Sequence, residues 1–338
     1  MASGPQGISG ISGIDGARAW RHLHLFAFSQ ERFKESGTAS DYNTITRRRD
    51  RASRRPPSTL ACVQYTAAMP IDVSAEVIAN HPLSADYNVL ALAAPAIGAA
   101  TRSGQFLMVK AGRGHDPLLR RPFSVFEVLR DAGGTPTGVS ILSKRIGAST
   151  SRIYDARPGD LVACLGPLGR PFSIVDPPDE AWMVAGGVGL APFATLAAVL
   201  GARGVHSTLF YGARRAAELF YLDFFRGLGV ELVLTTEDGS AGEPGRIVAP
   251  LDRRLASRAA AAGVMIYACG PEGMLAATAK TAAQHGRPCQ VSVERIMGCG
   301  LGGCYSCVVP VRSDDGRFHH VRSCIAGPVL AGDRVQWD

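Results

Sequence analysis

Residues 181–204 read AWMVAGGVGLAPFATLAAVLGARG: an apolar strand, a glycine-rich turn, then an alanine- and leucine-rich helix that stops at glycine. A strand feeding a helix through a short turn is half of a βαβ unit, and a parallel sheet follows where the unit repeats. It does repeat. HSTLFYG (206–212) runs into AAELFYLDFFRGLG (216–229), VELVLTT (230–236) follows, and GVMIYACG (263–270) runs into PEGMLAATAKTAAQHG (271–286). These spans predict a parallel-sheet domain over residues 177–290, entered through the Pro177–Pro178 pair.

The turn itself carries chemistry. Gly186, Gly187 and Gly189 would let a phosphate-bearing ligand approach the backbone and the following helix N-terminus, where unpaired N–H groups and the dipole favour an anion. The run is not GxGxxG, and alone it reads equally as a tight turn. Two more loops fall at the same carboxyl edge, where open α/β sheets hold nucleotides. One is YACGPEGM with Cys269, Gly270 and Pro271; the other is TTEDGSAGEPG with Asp238. Three such loops in one domain favour a dinucleotide site. Arg214 and Arg215 after FYGA could meet the 2'-phosphate of NADP, but a solvated loop explains them better.

Upstream, residues 69–176 change grammar to short strands: AEVIANHPL, YNVLALAAP, QFLMVKAG, RRPFSVFEVL, GVSILSKRI and DLVACLGPLG, separated by Gly, Pro and Asp turns. Such spacing predicts a small antiparallel barrel. RRPFS gives Arg121 for a pyrophosphate, Pro122, Phe123 to shield a planar ring, and Ser124 to hydrogen-bond a flavin edge. An arginine at a strand mouth is more often simply solvated. GAST (147–150) precedes a short helix and could bind the same pyrophosphate.

Downstream, residues 291–338 hold Cys299, Cys304, Cys307 and Cys324, spaced Cx4Cx2Cx16C. That is the plant-type arrangement for a [2Fe-2S] cluster. Zinc sites more often use two separated Cx2C knuckles, and disulfides are the remaining reading. Glycines 298, 300, 302 and 303 let the backbone wrap tightly and aim amides at cluster sulfurs. Cys62, Cys164, Cys269 and Cys289 are dispersed and read as plain thiols.

Composition sets the outer limits. Hydrophobic residues make up 46% of the 338-residue chain, too many for a disordered protein, and the apolar runs are too short to span a bilayer. The net charge of +7 invites a nucleic-acid reading, yet residues 1–68 hold ten Lys and Arg against five Asp and Glu, so most of the excess lies there. That segment, with TRRRDRASRRPPS, reads as a disordered extension or as sequence ahead of a true start at Met69. Its basic run lacks interleaved aromatics, which disfavours a redox-sensing module whose arm binds nucleic acid. No nucleic-acid or membrane partner is expected.

Taken together, SVERIMGCGLGGCYSCVVP and RSCIAGPVL, with LLRRPFSV, LGPLGRPF, GGVGLAP, EDGSAGEPG and ACGPEGM in that family's order, resemble the electron-transfer subunits of type B dihydroorotate dehydrogenase. These subunits sit in the ferredoxin-NADP reductase superfamily, and the likeness covers about Ile71 to Asp338. It implies a FAD-binding barrel, an NAD-binding domain and a [2Fe-2S] domain. Carried over by position, FAD contacts would be Arg121, Pro122, Phe123 and Ser124, then Leu142, Ser143 and Lys144, then Ser149 and Thr150; the family has Gly where this chain has Ser149. It further implies an FMN-containing catalytic partner, a heterotetramer of two copies each, NAD+ as a diffusible acceptor and no acid-base catalyst in this chain. Separately, the absence of a signal-peptide pattern and the lability of such a cluster point to the cytoplasm. A subunit of an NAD(P)H-ferredoxin oxidoreductase, hydrogenase or transhydrogenase would share nearly all these blocks.

Overall fold

The computed structural model describes residues 69–112, 116–174, 179–257 and 263–337; residues 1–68 and the Pro177–Pro178 joint lie outside the described residues. Six strands, β1 (Ile71–Pro82), β2 (Tyr87–Ala93), β3 (Phe106–Ala111), β4 (Arg121–Arg130), β5 (Pro136–Lys144) and β6 (Leu161–Leu168), close into an antiparallel barrel in the order β1-β2-β5-β4-β3-β6. Alternation builds two layers from them. Leu90, Leu92, Val125, Val139 and Ile141 fill the barrel, while Val89, Phe126 and Leu142 face outward into a second core. Burial on both faces is why YNVLALA reads as a continuous apolar run.

The second core belongs to a seven-stranded sheet. It uses β7 (Glu180–Gly186), β8 (His206–Ala213), β9 (Glu231–Thr236), β10 (Glu243–Pro244), β11 (Val264–Cys269) and β12 (Cys289–Ser292), ordered β10-β9-β8-β7-β11-β12 and parallel throughout. On one face Met183, Leu209 and Tyr211 pack with the helix Ala191–Ala202. On the other, Trp182, Val184, Phe210 and Ile266 pack with the helices Val248–Ser257 and Glu272–Gln284.

The cysteine-bearing tail forms a hairpin, β13 (Val308–Arg312) with β14 (Phe318–Arg322), and then β15 (Val329–Ala331) joins the large sheet beside β12. This last strand runs antiparallel, so the expected parallel sheet is mixed. The chain enters β15 from the β13–β14 hairpin through a four-residue helix, Ser323–Ala326, rather than by a βαβ crossover, so nothing obliges it to run parallel.

One helix departs from expectation. Residues 216–229 form a 3-10 turn, Ala216–Glu218, and a separate short helix, Leu222–Gly227, because Tyr221 takes φ 60 between them. The rings explain the break: Phe220 lies 4.9 Å from Tyr87 and Tyr221 lies 4.7 Å from Phe126, both on the barrel. Anchoring two aromatics on another element outweighs local helix preference. Among the described residues no helix is long and apolar enough to cross a membrane.

Candidate cofactor and electron-transfer site

The four tail cysteines gather as two neighbouring pairs, Cys304 beside Cys299 and Cys324 beside Cys307, with Cys299 also near enough to act on Cys324. Among the described residues no three Cys, His, Asp or Glu side chains converge as ligands of one ion. Zinc needs three or four ligands about one point, whereas a [2Fe-2S] centre held by four cysteines takes two thiolates at each of two irons, so the donor set fits the dinuclear centre. The pairs differ in environment. Cys304 is exposed, and the hydroxyl and amide of Ser306, 3.1 Å away at its Oγ, together with Cys299 lower its thiol to about 6. Cys324 is buried, and burial with the neighbouring Cys307 pushes it to about 12. Ser306 also accepts from the Gly298 amide at 2.9 Å, and the Leu301 amide points at Cys299 Sγ at 3.3 Å.

The cysteine loop is seated on the barrel. Cys307, Cys324 and Met297 share a small apolar cluster with Phe106, Met108, Leu165 and Leu168 of β3 and β6. Strand β3 pairs with β4 so that Phe106 faces Ser124, Leu107 faces Phe123 and Met108 faces Pro122. The RPFS residues therefore stand one strand from the cysteine seat.

Within the barrel the expected flavin residues have distinct environments. Arg121 is exposed and folds back, donating to the Leu119 and Arg120 carbonyls at 3.1 and 3.2 Å. Phe123 packs partly against the barrel core, and Leu142 belongs to the inter-element core. Ser143 is buried with an unpartnered hydroxyl, an orphaned group of the kind a flavin edge would satisfy. Lys144 holds its ammonium 5.0 Å from the Tyr87 ring centroid. Thr150 Oγ1 accepts from the Ile146 and Gly147 amides at 2.8 and 3.0 Å, fixing the start of the helix Ala148–Asp155; Ser149 beside it is partly exposed.

At the sheet edge, two of the three expected loops touch. A Cβ on Gly189 would lie 2.1 Å from the Cys269 carbonyl oxygen, and one on Gly186 would lie 2.8 Å from Pro271 and 2.9 Å from Met274. These glycines permit loop-to-loop packing, while Gly187, at φ 55 with open space around it, is the one free to face a ligand. Gly270, at φ 155, closes the opposite loop. Burial pushes the Cys269 thiol up to about 12, with Ser292 partly offsetting it. Asp238 sits two strands away at the end of β9, where its carboxylate accepts from Ser240 Oγ at 2.6 Å and is held below the usual carboxylate range. Arg214 and Arg215 both reach Glu218 Oε1, at 3.5 and 3.3 Å.

Three contributors escaped the sequence reading. Ser306 lies inside the cysteine motif, where a hydroxyl two residues from a ligand is a usable signal. Arg322, whose Nη1 donates to the Gly302 carbonyl at 2.7 Å, and Asn80, which braces the helix bearing Ser149 and Thr150, gave none.

Comparison with known proteins agrees with this geometry. Residues 183–280 match the oxidoreductase NAD-binding domain, and residues 294–336 match the iron-sulfur cluster binding domain of dihydroorotate dehydrogenase B. The electron transfer subunit of dihydroorotate dehydrogenase B (NAD(+)) from Desulforamulus reducens is 34% identical over 265 residues, 78% of this chain and 98% of that relative. The chain belongs to the dihydroorotate dehydrogenase B electron-transfer subunits. The subunit from Bacillus caldolyticus is 36% identical over 234 residues, 69% of this chain and 86% of its own. A solved structure of the NADH-dependent reduced ferredoxin-NADP oxidoreductase, which concerns flavin-based electron bifurcation, superposes with a TM-score of 0.67 at 26% identity, covering 79% of this chain and 91% of that one. As a dihydroorotate dehydrogenase B electron-transfer subunit, the chain is an oxidoreductase subunit of the NAD-dependent enzyme, and a catalytic partner subunit is implied by that membership. It combines an iron-sulfur binding tail with a flavin- and NAD-binding fold of the ferredoxin reductase type.

Proposed function

We propose that this chain accepts electrons from an FMN-containing subunit that oxidises dihydroorotate to orotate, and passes them to NAD+ for the synthesis of UMP. A [2Fe-2S] centre relays single electrons, and a flavin exchanges electrons singly on one side and as a hydride on the other, which is the conversion such a subunit requires. Cys299, Cys304, Cys307 and Cys324 would hold the cluster. Arg121, Pro122, Phe123, Ser124, Leu142, Ser143, Lys144, Ser149 and Thr150 would hold FAD. Gly186, Gly187, Gly189, Asp238, Cys269, Gly270 and Pro271 would border NAD.

The observation that carries the reading is the order of the parts. The cysteine loop rests on β3 and β6, β4 with RPFS is the next strand, and the outer faces of β4 and β5 pack through Phe126 and Leu142 against the sheet that carries the glycine turn. A one-electron donor on one side of the flavin strand and a hydride acceptor on the other have places to sit. On this reading no residue of this chain needs to move a proton on dihydroorotate, and that chemistry belongs to the partner. The proposed assembly is two copies of each subunit in the cytoplasm.

Similarity to the ferredoxin-NADP oxidoreductase structure supports a second reading, exchange with ferredoxin. One experiment separates them: tagged chain is recovered from its native extract and assayed for dihydroorotate-dependent and for ferredoxin-dependent reduction of NAD+. Co-recovery of an FMN protein with the first activity supports the proposal. Ferredoxin-dependent turnover alone replaces it.

A further inference from the structure

Residues 298–307, which hold three of the four cysteines, contain no charged side chain. A charge is nonetheless brought to them from outside. Arg322 ends β14 two residues before Cys324 and turns back onto the loop, where its Nη1 donates to the Gly302 carbonyl at 2.7 Å. Its guanidinium carbon lies 4.8 Å from the centroid of the Tyr305 ring, a stacked cation–π contact. Gly302 and Tyr305 flank Cys304, and both have left-handed backbone, at φ 80 and φ 57. For a tyrosine that conformation is uncommon and strained, so the surroundings must hold it. The stacked guanidinium is one such restraint. Arg170 also borders the loop, lining a cavity with Gly300, Leu301 and Cys324, but among the described residues no contact pins its guanidinium to a ligand-flanking residue as Gly302 and Tyr305 pin Arg322. Arg295 is neutralised by Glu272 through contacts of 2.7 and 3.0 Å.

We propose that Arg322 is a positioning and tuning residue for the iron-sulfur centre: pinned by the Gly302 carbonyl and the Tyr305 ring, it keeps a fixed positive charge against the ligand loop and raises the reduction potential of the centre. The inference rests on the reading of the four cysteines as cluster ligands. Four thiolates and the bridging sulfides make such a centre anionic, and reduction adds one more negative charge. A nearby cation stabilises the reduced form more than the oxidised one, and more strongly where water is partly excluded. Arginine suits the task because it stays charged across the working pH range and its planar head can stack and donate at once.

The test uses the full chain with its cluster. Iron and sulfide are quantified, and the midpoint potential is taken from an EPR-monitored redox titration of wild type, Arg322→Lys, Arg322→Gln and Tyr305→Asn. Wild-type protein without stoichiometric iron and sulfide overturns the cluster reading itself. With the cluster present, Arg322→Gln is expected to move the midpoint to more negative potential, while Arg322→Lys stays close to wild type. A midpoint in Arg322→Gln equal to wild type overturns the tuning role, and equal shifts in the Lys and Gln variants assign the effect to loop geometry and overturn it as well. Should Arg322→Gln lose its cluster, Tyr305→Asn decides: asparagine tolerates the left-handed backbone, so a negative shift there supports a charge held in place by the ring, and an unchanged midpoint counts against it.

Discussion

Asn88 donates its side-chain amide to Asn80 Oδ1 at 2.7 Å, and the Asn80 amide in turn serves the Tyr154 and Ala156 carbonyls at 2.8 Å and that of Ile153 at 3.1 Å. The last carbonyls of a helix have no intrahelical donor, and here two barrel asparagines supply one. The same helix begins with Ser149 and Thr150, so the pair fixes where those residues stand relative to the barrel. Asn80→Ala should lower stability by about 2 kcal/mol, leaving the fully buried Asn88 amide with only its long 3.5 Å contact to the Ile153 carbonyl, and should weaken FAD retention. Asn80→Asp should be worse, because a carboxylate would face carbonyl oxygens. Urea unfolding and flavin fluorescence on dilution measure the two effects; wild-type flavin retention in Asn80→Ala would detach this helix from the cofactor site.

Gly189 is required for a contact rather than for a ligand. A methyl group there would overlap the Cys269 carbonyl carbon at 2.5 Å and Gly270 Cα at 2.7 Å, so the turn after β7 would be driven off the loop after β11. Gly189→Ala should cost about 1–3 kcal/mol and raise KM for NAD+ strongly. At Gly187, by contrast, an added Cβ meets nothing within 4 Å and asparagine tolerates the left-handed backbone, so Gly187→Asn should fold normally. Steady-state kinetics and thermal melts of both variants check the contrast, and equal behaviour would show that the two loops do not depend on this packing.

The parts of this molecule that sequence made readable are those whose cause is local. The cysteine spacing carries its chemistry in one short segment, and the strand-to-helix alternation from Ala181 to Gly286 needs only apolar periodicity. What was illegible has a distant cause. Tyr221 breaks an otherwise helical segment because Phe126, far away in sequence, receives its ring. Asn80 looked like an ordinary polar residue of a strand until the helix ending near Ala156 was placed beside it. The antiparallel β15 depends on how the tail returns from its hairpin, which no period in VLA encodes. The glycine turn was readable as a sharp loop, but only packing separates Gly187, which is open, from Gly186 and Gly189, which are spoken for by Pro271 and Cys269.

Glu127 gives the domain a pH signature. It lies on β4 opposite Ser140, its Oε2 has no hydrogen-bond partner, and burial raises it from an ordinary carboxylate to about 7, with Ser140 partly offsetting this. Between its unfolded value and about 7 the folded chain binds more protons than the unfolded one, so stability falls as pH rises through that window. The loss is complete above it and amounts to about 3 kcal/mol at most. Glu127→Gln should flatten this slope, matching wild type near pH 4 and exceeding it at pH 8. Urea midpoints across the range measure the effect. A wild-type slope that survives in Glu127→Gln assigns the titration to another group.

The cysteines divide by environment, and chemistry should divide them the same way. Cys164 and Cys289 are held among apolar neighbours that push each thiol up to about 12, whereas Cys304 is exposed with its thiol lowered to about 6. Reactivity and metal binding both require the thiolate. In protein stripped of metal, iodoacetamide at neutral pH should therefore label Cys304 first and leave Cys164 and Cys289 unmodified until the chain unfolds. In the loaded protein, Cys304→Ser should lose iron, sulfide and the cluster's visible absorption while retaining flavin. Cys289→Ala should keep all three and cost about 1–2 kcal/mol for the small cavity it leaves. Peptide mapping of the label and metal analysis of the two variants decide the matter: wild-type iron in Cys304→Ser would remove that residue from the ligand set.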